Sequence, residues 1–274
     1  MRLGSIHIYP IKSTRGMEVA SAVVEPWGLA GDRRYMVVDA AGEGLTARTH
    51  PKMLAVTATP EGSGLKLSGP HAPPLRLSPA PGTPTRRVRI WRDDVDAIDT
   101  GDEAATWFTD LLGLPVRLVW LNDATRRPVN PKYGTADDRV SFADAFPLLL
   151  ASAASLRQLN DWIAEEAVER GGEPPAPLPM RRFRPSIVVE DAPEPFAEDH
   201  WRRVRVGDVP FRAVKLCDRC VLTTIDPDTY TKGKEPLRTL ARHRRWDGKV
   251  WFAVNLIPDS TGTISVGDPV IPEE

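Results

Sequence analysis

Two cysteines and a handful of cations carry most of the chemical possibilities in this sequence. Cys217-Asp218-Arg219-Cys220 is a single C-x-x-C. As half of a zinc site it lacks a partner: there is no second C-x-x-C, and the nearest downstream histidine, His243, stands alone. As a redox dithiol it would want a helix starting at the first cysteine, whereas Val221-Leu222-Thr223-Thr224-Ile225 reads as a strand. The third chemistry is one thiolate acting alone as nucleophile or soft metal ligand, with the Arg219 cation beside it. The plain alternative is two buried thiols serving as small hydrophobes.

The charged candidates are scattered. Lys12-Ser13 follow the first apolar run, and Arg33 follows a Gly31-Asp32 turn. Cations and hydroxyls on turns suit a phosphate or carboxylate ligand, and solvated surface charge is the competing reading. Arg181, Arg182 and Arg184 surround Phe183 ahead of an apolar strand. They suit a ligand phosphate, or they guard a sheet edge. Asp144 sits in the apolar stretch 140–147, where a carboxylate is costly unless paired; its plainer role is a cap or turn residue. Arg242-His243-Arg244-Arg245 is a basic run that suits an acidic partner or simply ends a helix.

The elements that must position these residues are mainly strands. With 27 prolines in 274 residues, long helices are disfavoured and short strands with ordered loops are expected. Strand patterns recur at 3–11, 19–24, 35–39, 87–91, 116–121, 186–189, 201–206, 210–214, 221–225, 250–257 and 263–270. Helical spacing appears at 101–112, stopped by Gly113, at 152–169, with Ser152 or Ser155 as cap, and at 235–245. The polar, proline-broken stretch 122–138 is the candidate junction. Strands do not alternate regularly with helices, and neither G-x-G-x-x-G nor a P-loop is present, so a doubly wound nucleotide fold is not expected. The fold class expected is α+β, mainly β-barrel, with a few helices.

Thirty-six Lys and Arg against 37 Asp and Glu leave a net charge of −1, which argues against nucleic acid as partner. No apolar run is long enough to span a bilayer, and the N-terminus lacks a signal-peptide pattern, so neither membrane nor export is expected. Two cysteines exclude a disulfide scaffold, and a cytoplasmic location is the expectation.

Several segments, taken in order, resemble one known family. Tyr9-Pro10-Ile11-Lys12-Ser13, Gly28-Leu29-Ala30-Gly31-Asp32-Arg33 and Thr46-Ala47-Arg48 look like the N-terminal β-barrel domain that precedes MOSC domains. Ser141-Phe142-Ala143-Asp144, Phe183-Arg184-Pro185-Ser186, the run from Cys217 through Thr229, Lys234-Glu235-Pro236-Leu237 and Gly267-Asp268-Pro269-Val270 look like the MOSC domain itself. The resemblance divides the chain into an N-terminal domain at 1–122 and a MOSC domain at 123–274. It is similar in particular to the mitochondrial amidoxime reducing component and its bacterial counterparts.

The resemblance implies a molybdenum–molybdopterin cofactor. It implies Cys220 as the metal ligand, Cys217 as a bystander, and Asp144 as a catalytic carboxylate near the metal. Lys12, Ser13, Arg33 and Arg184 are implied as cofactor-binding, together with Ser186, Asp218, Arg219 and Asn255. The implied activity is reduction of N-hydroxylated small molecules with electrons from a separate reductase. Rival readings are a sulfur carrier or sulfurtransferase using a cysteine persulfide, and a non-enzymatic carrier of the cofactor. The sequence departs from the family pattern at three places. Ser186 replaces an asparagine, and Tyr230 and Ala253 replace glycines.

Overall fold

The computed structural model describes residues 1–70, 72–80 and 82–273. Their contacts divide into two units, one made of Ile8–Met17 and Pro26–Pro147, the other of Met1–His7, Glu18–Glu25 and Leu148–Glu274. The chain therefore crosses between the units several times.

In the 26–147 unit, an antiparallel sheet runs in the order Tyr35–Asp39, Val116–Trp120, Asp93–Asp99, Thr85–Ile90. A three-stranded meander, Thr57–Glu61, Gly64–Gly69 and Ala72–Leu77, accompanies it. Helix α1 (Asp102–Leu112) buries Ala104, Ala105, Trp107 and Phe108. Gly113 ends it in the left-handed conformation at φ 73, its N–H closing on the Thr109 carbonyl, as expected for a glycine after the last apolar position. The Trp107 indole N–H binds the Pro73 carbonyl at 2.9 Å and ties α1 to the meander. Met36, Val38, Val88, Val95, Val119 and Phe142 form the sheet's core. Gly28 lies at φ 125 with the Pro147 carbonyl 2.8 Å from where a Cβ would be, so only glycine fits there.

In the 148–274 unit, the main sheet runs Val270–Glu273, Arg203–Val206, Val209–Asp218, Lys249–Pro258, Leu148–Ser152, Ile187–Glu190, Arg2–Ile8, Met17–Val19. Leu148–Ser152 and Ile187–Glu190 are parallel, with Leu150 opposite Ile187. A parallel pair needs a crossover, which α2 (Ala153–Glu169) supplies. The Ser152 side chain caps α2 by accepting from the Ala154 N–H. Leu159 and Ile163 of α2 pack with Ala151, Phe183, Phe252 and Leu240, the last from α3 (Leu237–His243). Phe183 stacks on Phe252 with centroids 4.0 Å apart.

The protein is α+β and dominated by strands, as expected. Two local expectations are corrected. Val221–Thr224 is a 3-10 turn, not a strand: the Thr223 and Thr224 hydroxyls bond back to the Cys220 and Val221 carbonyls, which curls the backbone. The helix expected at 235–245 is confined to Leu237–His243 and starts directly after Pro236. The stretch 122–138 lies inside one unit and is tied down by Arg127, which is almost fully buried. Among the described residues no helix is long and apolar enough to cross a membrane.

Candidate functional site

Sequence-predicted residues gather in two groups, one in each unit. In the 26–147 unit, the segment 9–12 runs beside 33–35. The Arg33 N–H binds the Tyr9 carbonyl and the Tyr35 N–H binds the Pro10 carbonyl. The Lys12 N–H binds the Tyr35 carbonyl. Asp32 is buried and accepts from the Tyr9 N–H at 2.7 Å, while its other oxygen takes the Arg33 guanidinium. That guanidinium lies 4.5 Å from the Tyr9 ring centroid. The Phe142 N–H binds the Arg33 carbonyl, which brings the 141–144 segment alongside.

Lys12 is 5% exposed, and its ammonium donates to the Phe142 carbonyl at 3.0 Å and to Asp144. Arg48 binds the other Asp144 oxygen at 2.9 Å. Burial pushes the Lys12 pKa down to about 8, with Asp144 opposing. Desolvation works against charge on Asp144, but Lys12 and Arg48 outweigh it and hold the carboxyl well below the usual range. The Asp144 side chain is still 55% exposed, so the cations around it decide its state. Arg127 anchors the same segment through the Ser141 carbonyl at 2.6 Å and the Asp144 carbonyl at 3.1 Å, and pairs with Asp93 at 2.9 Å.

In the 148–274 unit, Cys220 ends the strand-to-turn passage and caps the 3-10 turn. Its carbonyl accepts from both the Thr223 N–H and hydroxyl. Among the described residues no hydrogen bond reaches its thiol. Arg219 is fixed by its N–H on the Val250 carbonyl and its guanidinium on the Phe183 carbonyl at 2.7 Å. The guanidinium also donates to the Cys217 sulfur at 2.9 Å, so the cation expected beside a thiol sits on Cys217 rather than Cys220. Neither cysteine is in a disulfide. The loop after Cys220 is clamped by Arg182 on Asp226 at 2.7 Å and by Arg181 on Asp228.

Three remaining candidates do structural work in this unit. The Ser186 hydroxyl accepts from the Leu149 N–H at 3.2 Å, and its carbonyl accepts from the His7 N–H. The Asn255 amide donates to the Lys215 carbonyl at 3.1 Å, where the strand Val209–Asp218 is bulged. Asp218 pairs with Lys215 at 2.5 Å and Lys249 at 3.5 Å. The basic run 242–245 is largely consumed internally. Arg242 and His243 reach the buried Glu166 at 3.3 Å, and Arg244 pairs with Asp199.

Ser13, Arg33 and Arg184 all adopt positive φ, at 66, 49 and 54. Non-glycine residues pay about 1–2 kcal/mol for that conformation, and such strain concentrates at functional sites. Tyr230 and Ala253, the two glycine replacements, sit at φ 60 and 72. The backbone there keeps the conformation that glycine would adopt freely. Sequence reasoning missed Trp91 and Arg127 as partners of the 141–144 segment. It noted Arg48 only within Thr46-Ala47-Arg48.

Residues 1–115 match the family described as MOSC N-terminal beta barrel domain, and residues 137–271 match the MOSC domain. The chain belongs to the MOSC family. It is 33% identical to mitochondrial amidoxime-reducing component 1 of Homo sapiens, over 98% of this chain and 82% of that protein. It is 34% identical to mitochondrial amidoxime reducing component 2 of Rattus norvegicus, again over 98% and 82%. A molybdenum cofactor sulfurase of Danio rerio is 31% identical over 99% of this chain, which spans 34% of that longer protein.

Proposed function

We propose that this protein reduces N-hydroxylated small molecules with a molybdenum–molybdopterin cofactor, taking electrons from a separate reductase. The observation that carries the reading is the similarity over 98% of the chain to amidoxime-reducing components.

The residues present suit that cofactor. Among the described residues no group of three or more His, Cys, Asp or Glu is arranged to hold a metal ion. A molybdenum–pterin chelate brings most of its own ligands and would need a single protein thiolate. Cys220 would supply one soft thiolate. The Arg219 Nε is buried without a hydrogen-bond partner among the described residues, a donor suited to an acceptor-rich ring system. Lys12, Ser13, Arg33 and Arg184 would hold the anionic and polar parts, at turns whose backbone is already committed.

When bound, the group would supply two-electron chemistry to the N–O bond. In the net reaction two electrons and two protons turn N–OH into N–H and water. Asp144, ionised at neutral pH, accepts a hydrogen bond from the substrate and orients it; a carboxyl held this far down is a poor proton donor. Lys12 and Arg48 fix the Asp144 carboxylate from both oxygens.

The test is metal and pterin content of the purified chain, followed by turnover of an amidoxime with reduced viologen. Molybdenum and pterin equimolar with the chain, and turnover without NADH, are expected. The sulfurase relative keeps one rival in view. A persulfide on Cys220 with no molybdenum would support sulfur transfer instead, and loaded but inert protein would support a cofactor carrier.

A further inference from the structure

The hairpin joining Thr85–Ile90 to Asp93–Asp99 turns on two residues, Trp91-Arg92, with Ile90 opposite Asp93. Trp91 lies at φ 58. The first central position of a two-residue hairpin with positive φ is ordinarily glycine, asparagine or aspartate. A bulky aromatic residue there is strained, and strain of this kind points toward a use. The use is not core filling, because Trp91 is 46% exposed.

The indole N–H makes a long hydrogen bond to Asp144, 3.4 Å. The Arg48 guanidinium lies 4.4 Å from the ring centroid and the Lys12 ammonium 5.6 Å. Three groups contact the ring, and the residue keeps 46% of its surface exposed beside the carboxylate assigned to orienting substrate. A pinned, open indole is a stacking platform with little rotamer entropy left to lose.

We propose that Trp91 is the specificity-determining residue for the substrate's side group, stacking flat aryl N-hydroxylated compounds and disfavouring saturated ones. The proposal rests on the reading of Asp144 given under Proposed function. A prop that merely covers Lys12 and Arg48 would affect all substrates alike.

The pair benzamidoxime and cyclohexanecarboxamidoxime separates the two roles, since they share a head group and differ in the flatness of the ring. Dissociation constants are measured by calorimetry without reductant, and kcat/KM with reduced viologen, both per molybdenum-loaded chain. In Trp91→Leu the aryl-over-saturated preference should fall roughly three- to tenfold, the range of an aromatic pair. The change should appear in KM and in the dissociation constant of the aryl compound, while those of the saturated compound move much less. Trp91→Phe should keep most of the preference. An unchanged ratio in Trp91→Leu, or no preference in the parent protein, overturns the proposal. If binding shows the shift but no N-hydroxylated compound turns over, the proposed activity fails while the role of Trp91 stands.

Discussion

The Lys12 cluster and the Cys220 segment hold their key groups by opposite means. Lys12 and Asp144 are fixed through their side chains: an ammonium buried against a carbonyl and a carboxylate, the carboxylate shared with Arg48. Cys220 is fixed through its backbone, by the threonines that follow it and by Arg219 on Val250, while its thiol makes no hydrogen bond among the described residues. A charged pair can be tuned by its neighbours and is costly to disrupt. A thiol held by main chain alone costs the fold little and leaves its sulfur available for a bond of another kind.

The strongest way to break this contrast is to remove the sulfur. Cys220→Ser should cost turnover and molybdenum content at least roughly 100-fold, because even outer partners of metal ligands are worth about 10- to 100-fold. Compared metal-free, its midpoint of unfolding should barely move from that of the parent. Cys217→Ser should keep most of the metal, and loss of metal there with retention in Cys220→Ser would reverse the assignment.

Next in size is the response of the charged cluster to truncation. Asp144→Ala leaves the Lys12 ammonium buried with the Phe142 carbonyl as its remaining partner. A loss of about 2 kcal/mol in denaturant unfolding is expected, below the 3–5 of a fully buried pair because Asp144 is half exposed. Lys12→Met should cost less than about 1 kcal/mol, since Asp144 keeps Arg48 and water. Equal losses in the two variants would show that burial of Lys12 is not what makes the pair sensitive.

A pH titration sharpens the same point. The Lys12 pKa is about 8 in the folded chain against an ordinary value of 10.5. Between these values the unfolded chain binds more protons, so this residue's contribution makes stability rise with pH across that window. Cofactor affinity should move the other way. It should fall about tenfold as Lys12 loses its proton above pH 8, the worth of a hydrogen bond to a charged group. Retention that stays flat to pH 10 would remove Lys12 from the binding set.

The smallest expected effect lies at the two glycine replacements, one in the loop beyond Cys220 and one in the strand Lys249–Pro258. Tyr230→Gly should stabilise by about 1 kcal/mol, because the left-handed strain is relieved at a partly exposed position. Ala253→Gly should be near neutral. Ala253 is fully buried, and losing its methyl costs about 0.8 kcal/mol against a similar relief. Thermal unfolding of both variants reads the difference.

Much of this was legible from residues. Ser152 capping a helix and Gly113 closing one are local chemistry, and local chemistry survives folding. Val221–Thr224 was not legible as a turn. Its β-branched, apolar composition suits a strand, and only the threonine hydroxyls bonding backward decide otherwise. The run 242–245 looked like an open basic patch because Glu166 and Asp199, which neutralise most of it, lie tens of residues away. Trp91 and Arg127 were missed for the same reason: their partner segment is distant in sequence. The positive φ at Ser13, Arg33 and Arg184 has no sequence signature at all. Residue type and the neighbouring turns singled out those positions, and the family resemblance implied a common role for them.

The pairing of Arg2–Ile8 with Ile187–Glu190 also bears on how the protein is made. Ile6 sits opposite Ile187. Roughly 180 residues must therefore be synthesised before the first strand meets its antiparallel partner, about 10–40 s at ordinary ribosomal rates. Through that interval Leu3 and Ile6, fully buried in the finished fold, wait without the strand that covers them. A nascent-chain chaperone has its natural window there, and separate expression of the two halves would strand those residues on the wrong fragment.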